Sequence, residues 1–317
     1  MNASISRRDF VKSSLLASVG IGLTAGQPAA GQAPPGQGEE KFPTGTIGGQ
    51  EFSRMFLGGN LIGGFAHSRD LSYVGTLMRR YNTEAKIRET LELAESQGIT
   101  AINTYVMQEN QALFAHWKNG GKMKWFAQAR LDEAKGFSQV QKAVDEGAVG
   151  IHLTGDTCEE LLDKGTFEKV AQSLEFIKAR KRIAGVAAHD LRVIVECEKL
   201  GLGVDFYQQT FHSHDYYSAA KADETGACGA HDNSWCKDPQ AVVDVMAKAK
   251  KPWIAFKILA AGALQPRSAF PYAFNSGADF ILVGMFDWQV EENVKLAKKV
   301  YRIVRGPESK RTRPWCS

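Results

Sequence analysis

Seven histidines occur in the chain, and five of them, His67, His152, His189, His212 and His214, end or follow short apolar runs. An imidazole titrates near neutrality and can hold a metal or pass a proton, so several gathered at strand ends read as a site. A lone loop histidine is more often held by backbone; the shared placement carries the weight. Gln128 closes another apolar run. Lys257 stands inside Trp253-Ile254-Ala255-Phe256-Lys257-Ile258-Leu259. An ammonium there must find a carboxylate or an open cavity, so Lys257 reads either as an acid/base group or as half of a structural ion pair. The catalytic candidates are His152, Lys257, His67 and Gln128. His152, His189 and His212 would together suit a divalent metal such as Zn, Mn, Fe or Ni with positions left open for Lewis-acid work, although no HExxH-type spacing accompanies them.

These side chains need a frame, and the hydrophobic pattern supplies one. The chain alternates eight strand-like runs (55–60, 100–103, 124–130, 149–153, 183–188, 204–209, 253–259, 280–283) with eight helical stretches (83–97, 110–118, 136–146, 166–179, 191–200, 239–249, 269–276, 290–304). In the first helix Ile87, Leu91, Leu93 and Ala94 recur at helical spacing, Thr83 stands at the N-cap position and Gly98 at the stop. Such alternation demands parallel strands, and eight pairs in this length predict an α/β chain closed as a (β/α)8 TIM barrel rather than an open sheet. No GxGxxG opens a helix after a strand, which argues against the open alternative. In a barrel the strand C-termini share one rim, where the histidines above are expected to meet.

Composition sets the outer limits. The 317 residues are 44% hydrophobic and 23% charged, which excludes a disordered chain, and the net charge of +4 is too small for a nucleic-acid footprint. No run approaches the about 20 apolar residues of a spanning helix, so no stable membrane insertion is expected. Ser6-Arg7-Arg8-Asp9-Phe10-Val11-Lys12 precedes a mildly apolar run to Ala25 and resembles a twin-arginine signal, implying the export machinery as a partner and a periplasmic or otherwise exported protein. The expected division is a signal at 1–31, a spacer and lead-in at 32–50, the barrel at 51–306 and a tail at 307–317. Cys228 and Cys236 bracket a polar loop and are expected to form a disulfide in an oxidising compartment, with a metal clip through His231 and Asp232 as the alternative. Cys158 and Cys197 read as buried thiols. The aromatic stretch from Phe211 to Tyr217 reads either as a wall for a sugar or as a packed lid.

Several segments, in order, carry a family likeness: Phe52-Ser53-Arg54-Met55-Phe56-Leu57-Gly58, Leu91 to Thr100, Gly185-Val186-Ala187-Ala188-His189, Asp205 to His212 with Gln208, and Gly284 to Asn293 with Glu292-Asn293. Over most of residues 52–304 the chain resembles the aldo/keto reductase superfamily. The resemblance implies a carbonyl/hydroxyl oxidoreductase with NAD(H) held by Gln208, Phe256, Gly284 and Asn293. The family tetrad is Asp, Tyr, Lys and His. Here Asn103 stands at the Asp position, Gln108 at the Tyr position with Tyr105 nearby, and Gln128 at the Lys position; only His152 is kept. Ala188 and His212 replace amide-binding asparagines, and no Lys or Arg lies between Gly284 and Asn293 for a 2′-phosphate. Three readings stay open: an oxidoreductase on a sugar-like small molecule, a metal-assisted isomerase, epimerase or lyase, and a ligand-binding barrel without catalysis.

Overall fold

The computed structural model describes residues 41–65, 71–131, 136–219 and 235–316. The export signal, His67, Cys228, His231 and Asp232 lie outside the described residues.

Eight parallel strands close into a barrel: β3 (Met55–Gly58), β4 (Ala101–Tyr105), β5 (Lys124–Ala129), β6 (Gly150–Leu153), β7 (Ile183–Ala188), β8 (Phe206–Thr210), β9 (Trp253–Phe256) and β10 (Phe280–Gly284). Each pairs with the next, and β10 closes on β3 with Gly284 opposite Gly58. Around them run α1 (Val74–Tyr81), α2 (Glu84–Ser96), α3 (Gln111–Lys118), α4 (Ser138–Asp145), α5 (Gly155–Asp163), α6 (Glu168–Ala179), α7 (Leu191–Lys199), α8 (Pro239–Lys248), α9 (Pro266–Asn275) and α10 (Asp287–Arg305). The expected (β/α)8 TIM barrel is the observed fold. Among the described residues no helix is long and apolar enough to cross a membrane.

The starts of these helices follow from capping. The Thr83 hydroxyl accepts the N–H of Lys86, as the sequence pattern expects, and the Asp190 and Asp238 carboxylates do the same work for α7 and α8, the latter with Pro239 in its first turn. Helices α1 and α5 lie where no helix was expected. Each is under ten residues, and α5 opens with Gly155-Asp156, a start that propensity alone disfavours. Thr154 caps it by accepting the N–H of Thr157 at 3.3 Å.

The barrel axis is filled by phenyl rings. Phe56 and Phe126 meet edge to face at 5.0 Å, Phe126 meets Phe206 at 5.4 Å, and Phe56 meets Phe280 at 5.7 Å. Phe52 joins them from outside the barrel, 5.0 Å from Phe126. It belongs to an antiparallel hairpin of β1 (Thr44–Ile47) and β2 (Gln50–Ser53), whose inward side chains Ile47 and Phe52 are fully buried. The lead-in expected to extend to residue 50 is thus structured from Thr44. Gly48 and Gly49 both adopt positive φ, the backbone of a two-residue hairpin turn, and that Gly-Gly pair was the readable signal.

The same end of the barrel receives the C-terminal tail. Asp279, fully buried, accepts from Arg311 at 2.9 Å, the Cys316 N–H at 2.9 Å and the Trp253 N–H at 3.0 Å, and forms an ion pair with Arg313 at 3.3 Å. Trp315 lies under Arg311 at 3.6 Å and beside Arg54 at 4.6 Å. Burial in this cluster, with Arg313 and Arg54 close by, lowers the Arg311 pKa to about 10, and Asp279 works against that fall. The tail is therefore part of the fold. Cys158 and Cys197 are buried thiols as expected, and Cys236 is buried too; the disulfide expected between it and Cys228 lies outside the described residues.

Candidate active site

At the opposite end, where the strands terminate, a cavity of about 290 Å³ opens. Its wall takes Gly58 from β3, Tyr105 from β4, Gln128 from β5, Ala187 from β7, Gln208 from β8, Phe256 from β9 and Gly284 from β10, so seven strands contribute to one surface. The loops add His189, His212 and Lys257, and the first turn of α5 adds Asp156. Of the expected site residues, Gln128, Lys257, His189, His212, Gln208, Phe256 and Gly284 meet at this rim. Asn293 is buried in α10 and is not part of the lining.

His152 sits in the barrel wall, fully buried and off the cavity surface. Gln128 Nε2 donates to Asn103 Oδ1 at 2.6 Å, and Asn103 Nδ2 lies 3.0 Å from His152 Nε2. An amide nitrogen only donates, so Nε2 accepts; Nδ1, 2.8 Å from the Leu153 carbonyl, carries the proton. The three positions aligned with Asp, Lys and His of the tetrad thus touch in series across β4, β5 and β6, as a neutral hydrogen-bonded row. Desolvation lowers the His152 pKa to about 4, with the Leu153 carbonyl opposing it. The expectation that His152 moves a proton near neutral pH is corrected accordingly: both nitrogens are taken and the ring is neutral.

Lys257 was expected inside a strand. The strand ends at Phe256, and Lys257 turns the chain with φ +58°, half-buried at the rim. Ala260 and Ala261 also have positive φ, so three non-glycine residues in this loop hold a conformation costing on the order of 1 kcal/mol each. Tyr105, beside the Gln108 position the resemblance implies, lines the cavity with its ring 5.0 Å from Phe65. Burial, reinforced by Asp156, raises its pKa while Arg130 offsets part of the rise, so the phenol keeps its proton at neutral pH.

The metal set His152, His189 and His212 is not assembled. His212 Nδ1 faces the Ser213 carbonyl at 3.0 Å and Nε2 accepts the Cys236 N–H at 2.9 Å, while His152 is committed as above. His189 has other company, Asp156 and Glu159, with one ligand atom from each of the three within 4.8 Å of the others. Nδ1 of His189 lies 3.2 Å from Glu159 Oε1 and 3.4 Å from Asp156 Oδ1. A lone pair facing two carboxylates would be repelled, so Nδ1 bears a proton and donates. Glu159 Oε1 also accepts the N–H groups of His189 at 2.6 Å and Asp190 at 2.8 Å. In this cluster the histidine is held through Nδ1 by Glu159 and Asp156. Asp156 and Glu159 were missed because α5 was not read; on a helix their spacing of three puts both on one face.

The aromatic stretch divides: His212 lines the cavity and Tyr217 is exposed, while its first residue packs. Phe211 is fully buried, stacked on Tyr272 at 5.0 Å and edge-on to Trp253 at 5.0 Å. Its role is in the core.

One atom in the wall stands out. Gln208 is 1% exposed, lines the cavity, and its Oε1 has no hydrogen-bond partner among the described residues. A buried acceptor left unmade costs about 1–3 kcal/mol, which a ligand donor could recover.

No protein-family model matches the chain, and no curated protein matches it. Solved structures do. A Pseudomonas aeruginosa protein described as an aldo-keto reductase aligns over 84% of this chain and 99% of its own, at 14% identity and a TM-score of 0.58. A glycerol dehydrogenase from Gluconobacter oxydans aligns over 84% of this chain and 96% of its own, at 12% identity and a TM-score of 0.53. At these identities the likeness is one of fold, and the chain is a (β/α)8 barrel of the architecture found in aldo-keto reductases.

Proposed function

We propose that the barrel is an exported oxidoreductase that holds a nicotinamide nucleotide and acts on a hydroxyl or carbonyl of a sugar-like small molecule. The observation that carries the reading is the orphaned Gln208 Oε1, buried in the cavity wall that Phe256 also lines. A carboxamide N–H would satisfy that oxygen, and the Phe256 ring offers a face to a flat heterocycle. Gly284 adds a wall without a side chain. Asn293 does not enter the cavity and is left out of the binding set. Bound there, the nucleotide would supply the hydride acceptor or donor. Tyr105 keeps a proton at the mouth, and the neutral row Gln128–Asn103–His152 fixes the wall without placing a charge beside the reacting carbon. Phe65, Tyr105 and Phe286 give apolar faces on which a sugar ring can rest.

Titration of intrinsic fluorescence with NADH and with NADPH tests the reading. NADH is expected to bind more tightly, because no cation lies between Gly284 and Asn293. Binding of neither, or tighter binding of NADPH, overturns it. Export rests on Arg7 and Arg8, and replacing both by Lys is expected to leave the precursor in the cytoplasm; normal export of that variant removes the twin-arginine assignment.

A further inference from the structure

The metal expectation placed His189 in a set that the structure does not build. What surrounds the ring instead points to a different use. His189 follows β7 at the cavity wall, 11% exposed through its side chain. Its ring is 5.5 Å from the Phe256 ring and close to the start of α5, where a methyl on Gly155 would come within 2.7 Å of Nδ1. Glycine at 155 is what lets the imidazole approach the helix.

We propose that His189 is a proton-transfer residue of this site, with Nε2 exchanging a proton with a substrate hydroxyl and Glu159 acting as the positioning residue that holds Nδ1.

Three features support the assignment. Nδ1 is fixed by Glu159 at 3.2 Å and Asp156 at 3.4 Å, which sets the tautomer with the lone pair on Nε2. Among the described residues no protein group bonds Nε2, and the ring belongs to the cavity lining. Glu159 is itself immobilised by two backbone N–H groups, so it cannot swing away from the ring. Burial acts to raise the Glu159 carboxyl, but the His189 ring and those N–H groups outweigh it and hold it below the ordinary carboxylate range. Glu159 is therefore an anion at neutral pH, ready to balance an imidazolium.

The step is a proton transfer. The substrate O–H bond breaks, its electron pair stays on oxygen, and the proton joins Nε2. The resulting imidazolium keeps Nδ1–H toward Glu159 and Asp156, and its extra proton returns to water through the open mouth. In the reverse direction the imidazolium delivers the proton to a developing alkoxide. The inference rests on the proposed oxidoreductase reading only for where the electrons go; the proton step is independent of the nucleotide.

Carbethoxylation by diethyl pyrocarbonate tests it, because only an unprotonated, accessible imidazole nitrogen reacts. Mapped by peptide mass spectrometry at neutral pH, His189 is expected to react about tenfold faster than His152 or His116. In Glu159→Gln the amide would donate to Nδ1 and move the proton to Nε2, so the rate at His189 is expected to fall about fivefold while the circular-dichroism melt is retained. Asp156→Asn serves as the second variant where Glu159→Gln does not fold, with a smaller fall in the same direction. Equal reactivity of His189 and His152, or a His189 rate unaffected by both variants, overturns the assignment. Protection of His189 by Zn²⁺ alone, lost in Glu159→Gln, would make the cluster a metal seat and also overturn it. A parallel NADH titration keeps the two proposals apart: a Glu159-dependent His189 without NADH binding removes the nucleotide and leaves the dyad, and NADH binding beside an inert His189 does the reverse.

Discussion

The two ends of the barrel differ in what covers their buried polar groups. At the end where the strands begin, the Asp279 carboxylate accepts from Arg311 and the backbone of Trp253 and Cys316 and pairs with Arg313, while Arg311 Nε, Arg313 Nη1 and Trp253 Nε1 find no partner among the described residues. The chain's own extensions provide the cover: the β1–β2 hairpin sends Ile47 and Phe52 inward, and the tail lays Trp315 under Arg311. At the end where the strands finish, three successive residues of β8, Gln208, Gln209 and Thr210, each hold a buried side-chain oxygen without a hydrogen-bond partner among the described residues. The chain itself covers one end. At the other, Gln208 borders an open cavity, and that difference in cover separates the structural end from the working end.

The largest effect is expected where the closed end is broken. Asp279→Ala leaves Arg311 and Arg313 buried without their carboxylate, and should cost about 3–5 kcal/mol in urea unfolding while NADH affinity in the folded fraction is unchanged. A loss below 1 kcal/mol would show that the arginines find water instead, and the contrast between the ends would shrink.

The wall between the two ends should answer to pH. The His152 pKa is 6.5 in the unfolded chain and about 4 in the native one, so the contribution of its neutral form is complete above pH 6.5. As pH falls toward 4 the unfolded chain takes up a proton that the native chain refuses, and stability drops by about 3 kcal/mol from this group. Urea unfolding at pH 7.5 and pH 4.5 should show a smaller fall in His152→Gln than in the parent. Identical falls would mean that His152 is protonated in place.

The smallest change in stability is expected at the open end, with the opposite sign. Gln208→Met removes an acceptor that the fold leaves unmade, so thermal unfolding should show a gain of about 1 kcal/mol, and NADH binding should weaken about tenfold. A destabilised variant with unaltered NADH binding would place Gln208 among ordinary wall residues and take away the observation on which the proposed function stands.

Much of the fold was legible in the residues, because hydrophobic period and capping are local. The apolar run Ile183–Ala188 and the Thr83 cap need no partner to be recognised. Gly48-Gly49 was equally legible as a hairpin turn. Helix α5 was not, since nine residues beginning with glycine give too short a period to read, and with it went Asp156 and Glu159. The site was legible in part: strand ends in a barrel converge, so Gln128, Gln208 and Phe256 could be assigned to one rim before any coordinates.

What each of those side chains does there was a different matter. The order of elements along the chain fixed a closed parallel barrel, because eight strand–helix pairs have few other ways to bury their apolar faces. The protonation and partners of His152, His189 and His212 were decided by neighbours from other strands and helices: Asn103 for His152, Asp156 and Glu159 for His189, the Cys236 backbone for His212. An imidazole's charge and tautomer depend on desolvation and on which atoms lie within about 3 Å, and those distances exist only after the chain has closed.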